Sequence, residues 1–379
     1  MTPGLVALAL AAAQASAAPA TPVVPQAEEV DVAVLPPSTP HRVYLSDSWT
    51  TGNTQVIDGD TAHLIGFVHH PVYSNFALDP AGRWLLVAES IWSKGNRGTR
   101  QDLLTLYDAR SLSLVAEVPL PGRIITGDKP QMLGVSADGR FAYVFDMAPA
   151  TSVHVVDLAR RRMVSTAEVA GCGLVFPYGA ASFASLCAEG AVARVTIARD
   201  GKSSQTRTAP LFDPENDPII DQADLDASGH GWFVAYSGQV YPARLDAAAP
   251  LGTAFSLQEA AGQTRAGMKP GDLAWRPGGR QVSAWHAASN RLYVLMHAGE
   301  IWTHNEPGTE LWVVDPVEQR VERRIRLERP AANVAVSRDA RPLLYLNGGG
   351  RLTVMDPATG AVLRSIDGVG NGSITVPAP

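Results

Sequence analysis

Short apolar runs with alternating polar positions recur along this chain, and several of them end in aspartate. Each is followed by a turn and by a second run rich in β-branched residues. The aspartate-ended runs are Leu104–Asp108, Val153–Asp157, Leu311–Asp315 and Leu352–Asp356. This alternation predicts antiparallel strands. Because strand-rich units repeating every roughly 40 to 50 residues are typical of a β-propeller, we expect an all-β chain of that architecture.

A second recurring feature is a turn between the first two strands of a unit. Asp suits such turns because it bonds its local backbone, and Gly because it accepts a positive φ. These turns are Leu78–Arg83, Ser136–Arg140, Leu225–Gly229 and Ser337–Arg341. The two features together predict six units, at residues 72–120, 121–170, 171–211, 212–260, 261–328 and 329–369.

The two ends of the chain supply the strands of a seventh unit. Three N-terminal strands, Arg42–Asp47, Thr54–Asp58 and His63–Val68, lack an inner partner, and Ser373–Pro377 is a single C-terminal strand. Pairing them would close the ring and remove exposed strand edges that favour aggregation. We therefore predict a seven-bladed β-propeller over residues 41–379. Its two longest insertions, Ser90–Gln101 and Ala298–Pro307, are candidates for a binding surface.

The N-terminus resembles a secretory signal. Leu5–Ala13 is an apolar run, and Ala15–Ala17 offers small residues for cleavage, although no basic residue precedes the run. We predict a signal peptide at residues 1–17, a flexible arm at 18–40 and a periplasmic, exported protein; a mis-assigned start or an alanine-rich tail is the alternative. No run is long enough to span a membrane.

The charge and the cysteines narrow the class further. The net charge is −6 and the densest basic stretch, Arg160–Arg162, lies in a predicted turn, so we expect no nucleic-acid partner. Cys172 and Cys187 flank two predicted strands with a turn midway between them. A hairpin would place the two cysteines opposite each other, which favours a disulfide in an exported protein; two free buried thiols are the alternative.

Sequence motifs of a self-contained active site are missing. The chain contains no nucleotide-binding loop, no HExxH, no CxxCH and no GxSxG. The histidines group only as His69–His70 and as the spread of His286, His297 and His304, without the spacing of a metal site. We therefore predict no catalytic, cofactor-binding or metal-binding residue in this chain.

Several segments, taken in order, resemble the heavy subunits of methylamine dehydrogenase and aromatic amine dehydrogenase. The resemblance runs from Arg42 to the C-terminus. Its segments are Arg42–Asp47, Val56–Gly59, Arg97–Asp102, Gly171–Cys172 with Cys187, Trp275–Gly279, Tyr293–His297, Thr303–His304 and Glu310–Trp312.

The resemblance implies a function. Heavy subunits of this family are periplasmic propellers that join a small, cysteine-rich light subunit in a two-plus-two heterotetramer. The light subunit carries tryptophan tryptophylquinone, which oxidises a primary amine to an aldehyde and ammonia, and electrons pass to a blue-copper protein such as amicyanin or azurin. An aromatic residue near the N-terminal strands lines the substrate channel, and Trp49 is the nearest candidate here.

Two other classes stay open on the sequence alone. One is a stand-alone exported propeller that binds a ligand or a surface protein. The other is a lactonase-like propeller enzyme, which needs a polar metal-binding cluster in its central channel. Trp49 as simple packing on the rim of the ring is the corresponding alternative for that residue. The sequence does not identify the amine or the electron acceptor.

Overall fold

The computed structural model describes residues 34–47, 49–125 and 129–379. The predicted signal peptide and residues 18–33 of the predicted arm lie outside this range. The described residues form seven antiparallel sheets arranged as the blades of a propeller, which confirms the predicted fold class. In five of the sheets, strands that are consecutive along the chain are hydrogen-bonded neighbours, so these blades are built by local pairing.

The strands are numbered along the chain and the blades in the order of the predicted units. The N-terminal strands are β1 (Arg42–Asp47), β2 (Asn53–Asp58) and β3 (His63–His69). Blade 1 has β4 (Asn75–Leu78), β5 (Trp84–Trp92), β6 (Arg100–Asp108) and β7 (Leu114–Leu120). Blade 2 has β8 (Leu133–Val135), β9 (Phe141–Asp146), β10 (Ser152–Asp157) and β11 (Arg162–Glu168). Blade 3 has β12 (Cys172–Tyr178), β13 (Ser182–Cys187), β14 (Val192–Ile197) and β15 (Ser203–Arg207).

The remaining blades follow the same plan with one exception. Blade 4 has β16 (Ile219–Leu225), β17 (His230–Ala235), β18 (Gln239–Arg244) and β19 (Phe255–Ser256). Blade 5 has β20 (Ala274–Pro277), β21 (Ser283–His286), β22 (Arg291–Gly299), β23 (Gly308–Asp315) and β24 (Arg320–Ala331). Blade 6 has β25 (Asn333–Val336), β26 (Leu344–Gly348), β27 (Arg351–Met355) and β28 (Val362–Asp367), and the last strand is β29 (Ser373–Thr375). In blade 5 the inner strand is split, since β20 and β21 both pair with β22.

The ring is closed by the C-terminal strand, as predicted. β29 pairs antiparallel with β1, with Leu45 opposite Ile374, and the sheet order is β29-β1-β2-β3. The Gln281 side chain of blade 5 holds β29 from the other side, because its amide donates to Ile374 O at 3.0 Å and its carbonyl accepts from Ile374 N at 2.8 Å. The seventh blade therefore combines both ends of the chain.

The core lies between neighbouring blades. Clusters of buried side chains join adjacent sheets: Tyr143 of blade 2 packs on Phe183 of blade 3, with ring centroids 5.0 Å apart, and Phe176 of blade 3 packs on Phe233 of blade 4 at the same separation. Such aromatic pairs fill the space between twisted sheets and add favourable ring contacts. Buried clusters also join the other five pairs of neighbouring blades, so the blades are fixed to one another all around the ring.

Antiparallel meanders place their connections at two ends of the ring. The lower end carries the turns between the first and second and between the third and fourth strands. The upper end carries the turns between the second and third strands and the connections between blades. Trp49, in the β1–β2 turn, and both predicted insertions lie at the upper end.

The repeated aspartate belongs to the lower end and caps the turn between the two outer strands. Five blades share this turn, in which an Asp oxygen accepts from backbone N–H groups two or three residues later. The Asp residues are Asp58, Asp108, Asp157, Asp315 and Asp356. In each turn the residue four positions after the Asp has a positive φ, and the pairing of the two outer strands shifts register between the residues two and one positions before the Asp. The sequence repeat is therefore the signature of one bulged turn.

Helical structure is minor in the described residues. It consists of a 3₁₀ turn at Pro130–Met132 and the helix α1 (Leu257–Ala260), which Ser256 caps by accepting from Glu259 N at 3.3 Å. Over the described part of the chain, no helix has the length and apolar character needed to cross a membrane.

The end of the predicted arm lies against the ring. Leu35 is buried and its N–H donates to Arg110 O at 2.8 Å. The Arg42 guanidinium donates to Pro36 O at 2.9 Å and Pro37 O at 3.2 Å. Residues 34–39 therefore contact the lower end of blades 7 and 1.

Candidate functional site

Large apolar side chains are exposed at the upper end of the ring on several blades. We define the upper apolar residues as Trp49, Val72, Met147, Leu273 and Trp302, which are 45% to 75% exposed. All five lie in upper connections. Elsewhere Val317 is 65% exposed in a lower turn, and the outer strands expose Leu64, Phe67, Leu114, Val362 and Leu363. Both exposed tryptophans, Trp49 and Trp302, lie at the upper end, so this end is the candidate functional site.

Trp49 lies on a turn whose backbone is anchored at both ends. Asp47 caps the turn by accepting from Thr50 N at 2.9 Å, and Gly52 donates to Asp47 O at 2.9 Å. The Trp49 ring meets the Tyr73 ring edge to face, with centroids 5.2 Å apart and planes at 87°. Trp49 is 57% exposed, so a bound molecule at this end can reach it. The predicted role of Trp49 in a substrate channel stays a prediction.

A second aromatic group lies on the upper turns of blades 4 and 5. The Tyr236 ring stacks on His304 at 3.9 Å between centroids and meets Trp302 edge to face at 5.8 Å. Burial lowers the pKa of His304, and the Lys129 charge and then His297 lower it further. The imidazole is therefore neutral near pH 7, and its stack with Tyr236 carries no charge.

The other histidines are held apart by separate contacts. Burial lowers the pKa of His297, whose Nε2 lies 2.8 Å from Thr303 Oγ1. His286 lies at the lower end, 2.9 Å from Asp339 O, and His70 contacts Thr54 Oγ1 at 3.1 Å. Within residues 34–47, 49–125 and 129–379, no group of three or more His, Cys, Asp or Glu residues is placed to hold a metal ion.

Two acidic residues of strand β16 line the inside of the ring. Asp221 forms an ion pair with Lys129, and burial lowers the pKa of that lysine. Asp224 accepts a hydrogen bond from Ser283 Oγ, and burial raises the pKa of Asp224 to about 7. The Ser283 contacts connect the neighbouring blades 4 and 5, and Gln222 also donates to Ser283 O at 2.7 Å. Lys129 directly precedes the 3₁₀ turn that leads into the inner strand of blade 2, so its ion pair with Asp221 joins two blades that are not neighbours.

Cys172 and Cys187 form a disulfide, as the sequence predicted. They lie directly opposite each other on the inner hairpin of blade 3, with their Cα atoms 3.8 Å apart. Both are buried, and the Arg207 guanidinium lies 2.9 Å from Cys172 Sγ. The bond therefore fixes the hairpin where the chain enters blade 3 from the upper end.

Sequence reasoning missed the residues that support Trp49. Tyr73 has a φ of 63° although it is not glycine, and Arg123 is buried behind it. No local pattern distinguishes either residue, because their contact joins positions 50 residues apart. The aromatic stack on Tyr236 was missed for the same reason.

Solved structures with a similar fold are β-propellers at low sequence identity. The chain aligns with dihydro-heme d1 dehydrogenase NirN in complex with DHE with a TM-score of 0.56 at 14% identity, covering 94% of this chain and 78% of that chain. It aligns with U3-55K with a TM-score of 0.57 at 13% identity, covering 89% and 93%. These similarities concern the fold alone.

The fold and the upper end together define a seven-bladed propeller whose upper end exposes apolar side chains. A family model described as methylamine dehydrogenase heavy chain matches residues 39–377. The chain belongs to the methylamine dehydrogenase heavy chain family.

Curated relatives carry the same family name. The methylamine dehydrogenase heavy chain of Methylophilus methylotrophus is 29% identical over 355 residues, covering 90% of this chain and 84% of the relative. That of Methylorubrum extorquens is 29% identical over 368 residues, covering 95% and 88%. The similarity therefore extends over both ends of the ring.

Proposed function

We propose that this chain is the heavy subunit of a periplasmic, quinone-dependent amine dehydrogenase. In this proposal two copies bind two cysteine-rich light subunits, and the complex oxidises a primary amine to an aldehyde and ammonia. Electrons then pass to a blue-copper protein of the amicyanin or azurin kind. The observation that carries the proposal is the family match over residues 39–377, which includes every blade.

The light subunit is the proposed occupant of the upper end. Trp49, Met147, Leu273 and Trp302 are each more than half exposed and would bury apolar surface against a partner. The disulfide uses both cysteines of this chain, so a cysteine-rich scaffold has to come from another chain. Tryptophan tryptophylquinone on that partner would supply the oxidation of the amine.

This chain would bind and orient the amine and would exclude water from it. Trp49 and Tyr73 form an edge-to-face pair at the rim, so their rings are suited to contact the carbon skeleton of an amine that enters between the subunits. Neutral His304 and its stacking partner Tyr236 offer a further low-polarity wall. Trp49 is the substrate-channel residue in this proposal.

Purification from the periplasm of the native host tests the proposal. We expect a coloured complex with equal amounts of this chain and a short cysteine-rich chain, whose quinone absorbance is reduced by primary amines and reoxidised by a blue-copper protein. A secondary amine of the same size is the control. A colourless, monomeric chain without amine-dependent absorbance changes would instead support a stand-alone propeller.

A further inference from the structure

We propose that Arg123 is a positioning residue for substrate selection, acting on Trp49 through Tyr73. Arg123 holds the backbone of Tyr73 in an unusual conformation, and the Tyr73 ring in turn fixes the Trp49 ring. The inference rests on the proposed function, in which Trp49 borders the amine channel.

The Trp49 ring needs a support from outside its own turn. Its turn is fixed by Asp47 and by the hydrogen bond from His70 N to Gly52 O at 3.0 Å. These contacts fix the backbone and leave the ring, which is 57% exposed, to be oriented by its edge-to-face contact with Tyr73.

The backbone of Tyr73 is in a strained conformation that would not strain a glycine. Its φ of 63° lies in the left-handed region, which a residue with a Cβ adopts only when its surroundings compensate. A glycine would satisfy the backbone at this position without strain. Tyrosine is present instead, and the contact that a glycine would lose is that of the ring with Trp49.

Arg123 compensates for the backbone strain of Tyr73. One guanidinium nitrogen donates to Tyr73 O at 2.6 Å and to Asn75 Oδ1 at 2.9 Å, and the other donates to Ser90 Oγ at 3.0 Å. Arg123 is 3% exposed, and burial lowers its pKa to about 10, so the charge persists near pH 7. A charged donor binds a carbonyl more strongly than a neutral donor does.

The side-chain hydrogen bonds of Arg123 go to neutral oxygens, and the nearby Asp102 carboxylate is itself paired with Arg100 Nη2 at 2.8 Å. The charges of Asp102, Glu89 and Asp146 still favour the charged form of the guanidinium from a distance. Arg123 therefore belongs to a buried polar network, and its direct bond to Tyr73 O points to a role in fixing Tyr73.

The test uses the full chain labelled with 5-fluorotryptophan and the assembled enzyme. In the chain, the ¹⁹F resonance of Trp49 is assigned by its loss in Trp49→Phe. Arg123→Gln and Tyr73→Gly are expected to shift or broaden that resonance. In the enzyme, both are expected to change the ratio of kcat/KM for a bulky aromatic amine to that for a small amine by about fivefold, in the direction of Trp49→Ala.

Two features separate positioning from a general loss of structure. Tyr73→Gly relieves the backbone strain while removing the ring, so it is expected to alter amine preference without lowering the melting temperature. Arg276→Gln is the matched control, because Arg276 is also buried and also donates to backbone carbonyls, including Gly299 O at 3.2 Å on blade 5. It is expected to leave both the Trp49 resonance and the amine ratio unchanged.

The outcomes distinguish this inference from the proposed function. If Trp49→Ala changes amine preference while Arg123→Gln leaves the resonance and the ratio unchanged, the positioning role of Arg123 is overturned, whatever Tyr73→Gly does, and the proposed function stands. If the resonance moves but no variant alters amine preference, the selection role is overturned. If the complex oxidises no amine, the proposed function fails, and the selection role of Arg123 fails with it.

Discussion

The two ends of this ring join the same strands, but the turns at the lower end are repeated whereas the connections at the upper end vary. At the lower end, five blades use one turn, with an aspartate cap and a left-handed residue four positions later. At the upper end, the connections between second and third strands differ in length from blade to blade, and the upper connections carry Trp49, Met147, Leu273 and Trp302 exposed to solvent. Since a blade requires only that its strands pair, the repeated end reflects folding and the irregular end is free for function.

The largest effect is expected from charges placed on the upper end. The double variant Met147→Glu, Leu273→Glu should weaken binding of the light subunit by roughly 10² to 10⁴-fold, because each side chain would otherwise contribute about 1.5–3 kcal/mol on burial. Met147 is 53% exposed and Leu273 is 75% exposed, so the double variant should not lower the free energy of unfolding of the chain itself. Co-purification and isothermal titration measure the affinity.

The lower end provides the matched control for that prediction. Val317 is 65% exposed in the aspartate turn of blade 5. Val317→Glu should leave the affinity for the light subunit within about twofold, since a surface substitution away from an interface changes free energies by less than about 0.5 kcal/mol. Equal losses for the upper and lower variants would contradict the assignment of the upper end as the binding face.

Ring closure affects both ends and should give the next largest effect. Ile374 is 3% exposed and lies opposite Leu45 in the closing pair of strands. Ile374→Ala should lower the free energy of unfolding by about 2–5 kcal/mol, because it leaves a cavity in a packed core. Urea unfolding of the purified chain measures this.

Val362→Ala, on the outer strand β28 and 52% exposed, is the control and should change the free energy of unfolding by less than about 0.5 kcal/mol. Equal losses of unfolding free energy in Ile374→Ala and Val362→Ala would contradict a special contribution of the closing strand.

The disulfide tests whether the upper end contains structural as well as functional parts. Replacing both Cys172 and Cys187 by alanine should lower the free energy of unfolding by about 3 kcal/mol, as expected for a bond that closes a loop of this length. Both residues are buried between the inner strands of blade 3, so binding of the light subunit should persist at low temperature. Thermal unfolding and co-purification check the two parts, and lost binding at unchanged stability would contradict this account.

The architecture could be predicted from sequence because it rests on local patterns. Strand alternation, the aspartate turns and the strands left over at each terminus predicted seven blades and the closing pair formed by β1 and β29. The cysteines were predictable for the same reason, since a hairpin sets Cys172 opposite Cys187 by symmetry about its turn.

The upper end could not be predicted at the same level because its contacts are distant in sequence. Arg123 reaches back 50 residues to Tyr73 O, and Gln222 reaches forward 60 residues to Val282 N. Neither pair shares a strand or a turn, so no periodicity links them. The left-handed conformation of Tyr73 was also invisible, because the usual signal for a positive φ is glycine.

The smallest effect should come from correcting a turn at the lower end. Gln319 has a φ of 51° in the turn capped by Asp315, whereas the equivalent position of blade 6 holds Gly360 with a φ of 78°. Gln319→Gly should raise the free energy of unfolding by about 0.5–1 kcal/mol, because relief of about 1–2 kcal/mol of left-handed strain exceeds the added entropy of the unfolded chain. Thermal unfolding measures the gain.

The neighbouring residue supplies the control for this turn. Glu318 precedes Gln319 and its N–H donates to Asp315 Oδ1 at 3.0 Å without a positive φ, so Glu318→Gly should lower the free energy of unfolding by about 0.4–1 kcal/mol. A gain of unfolding free energy at Gln319 and a loss at Glu318 would show that backbone geometry alone limits the stability of the lower turns. The same sign at both would mean that the side chain of Gln319 contributes more than its backbone strain costs, and the lower end would then resemble Tyr73 at the upper end, where the ring justifies the strain.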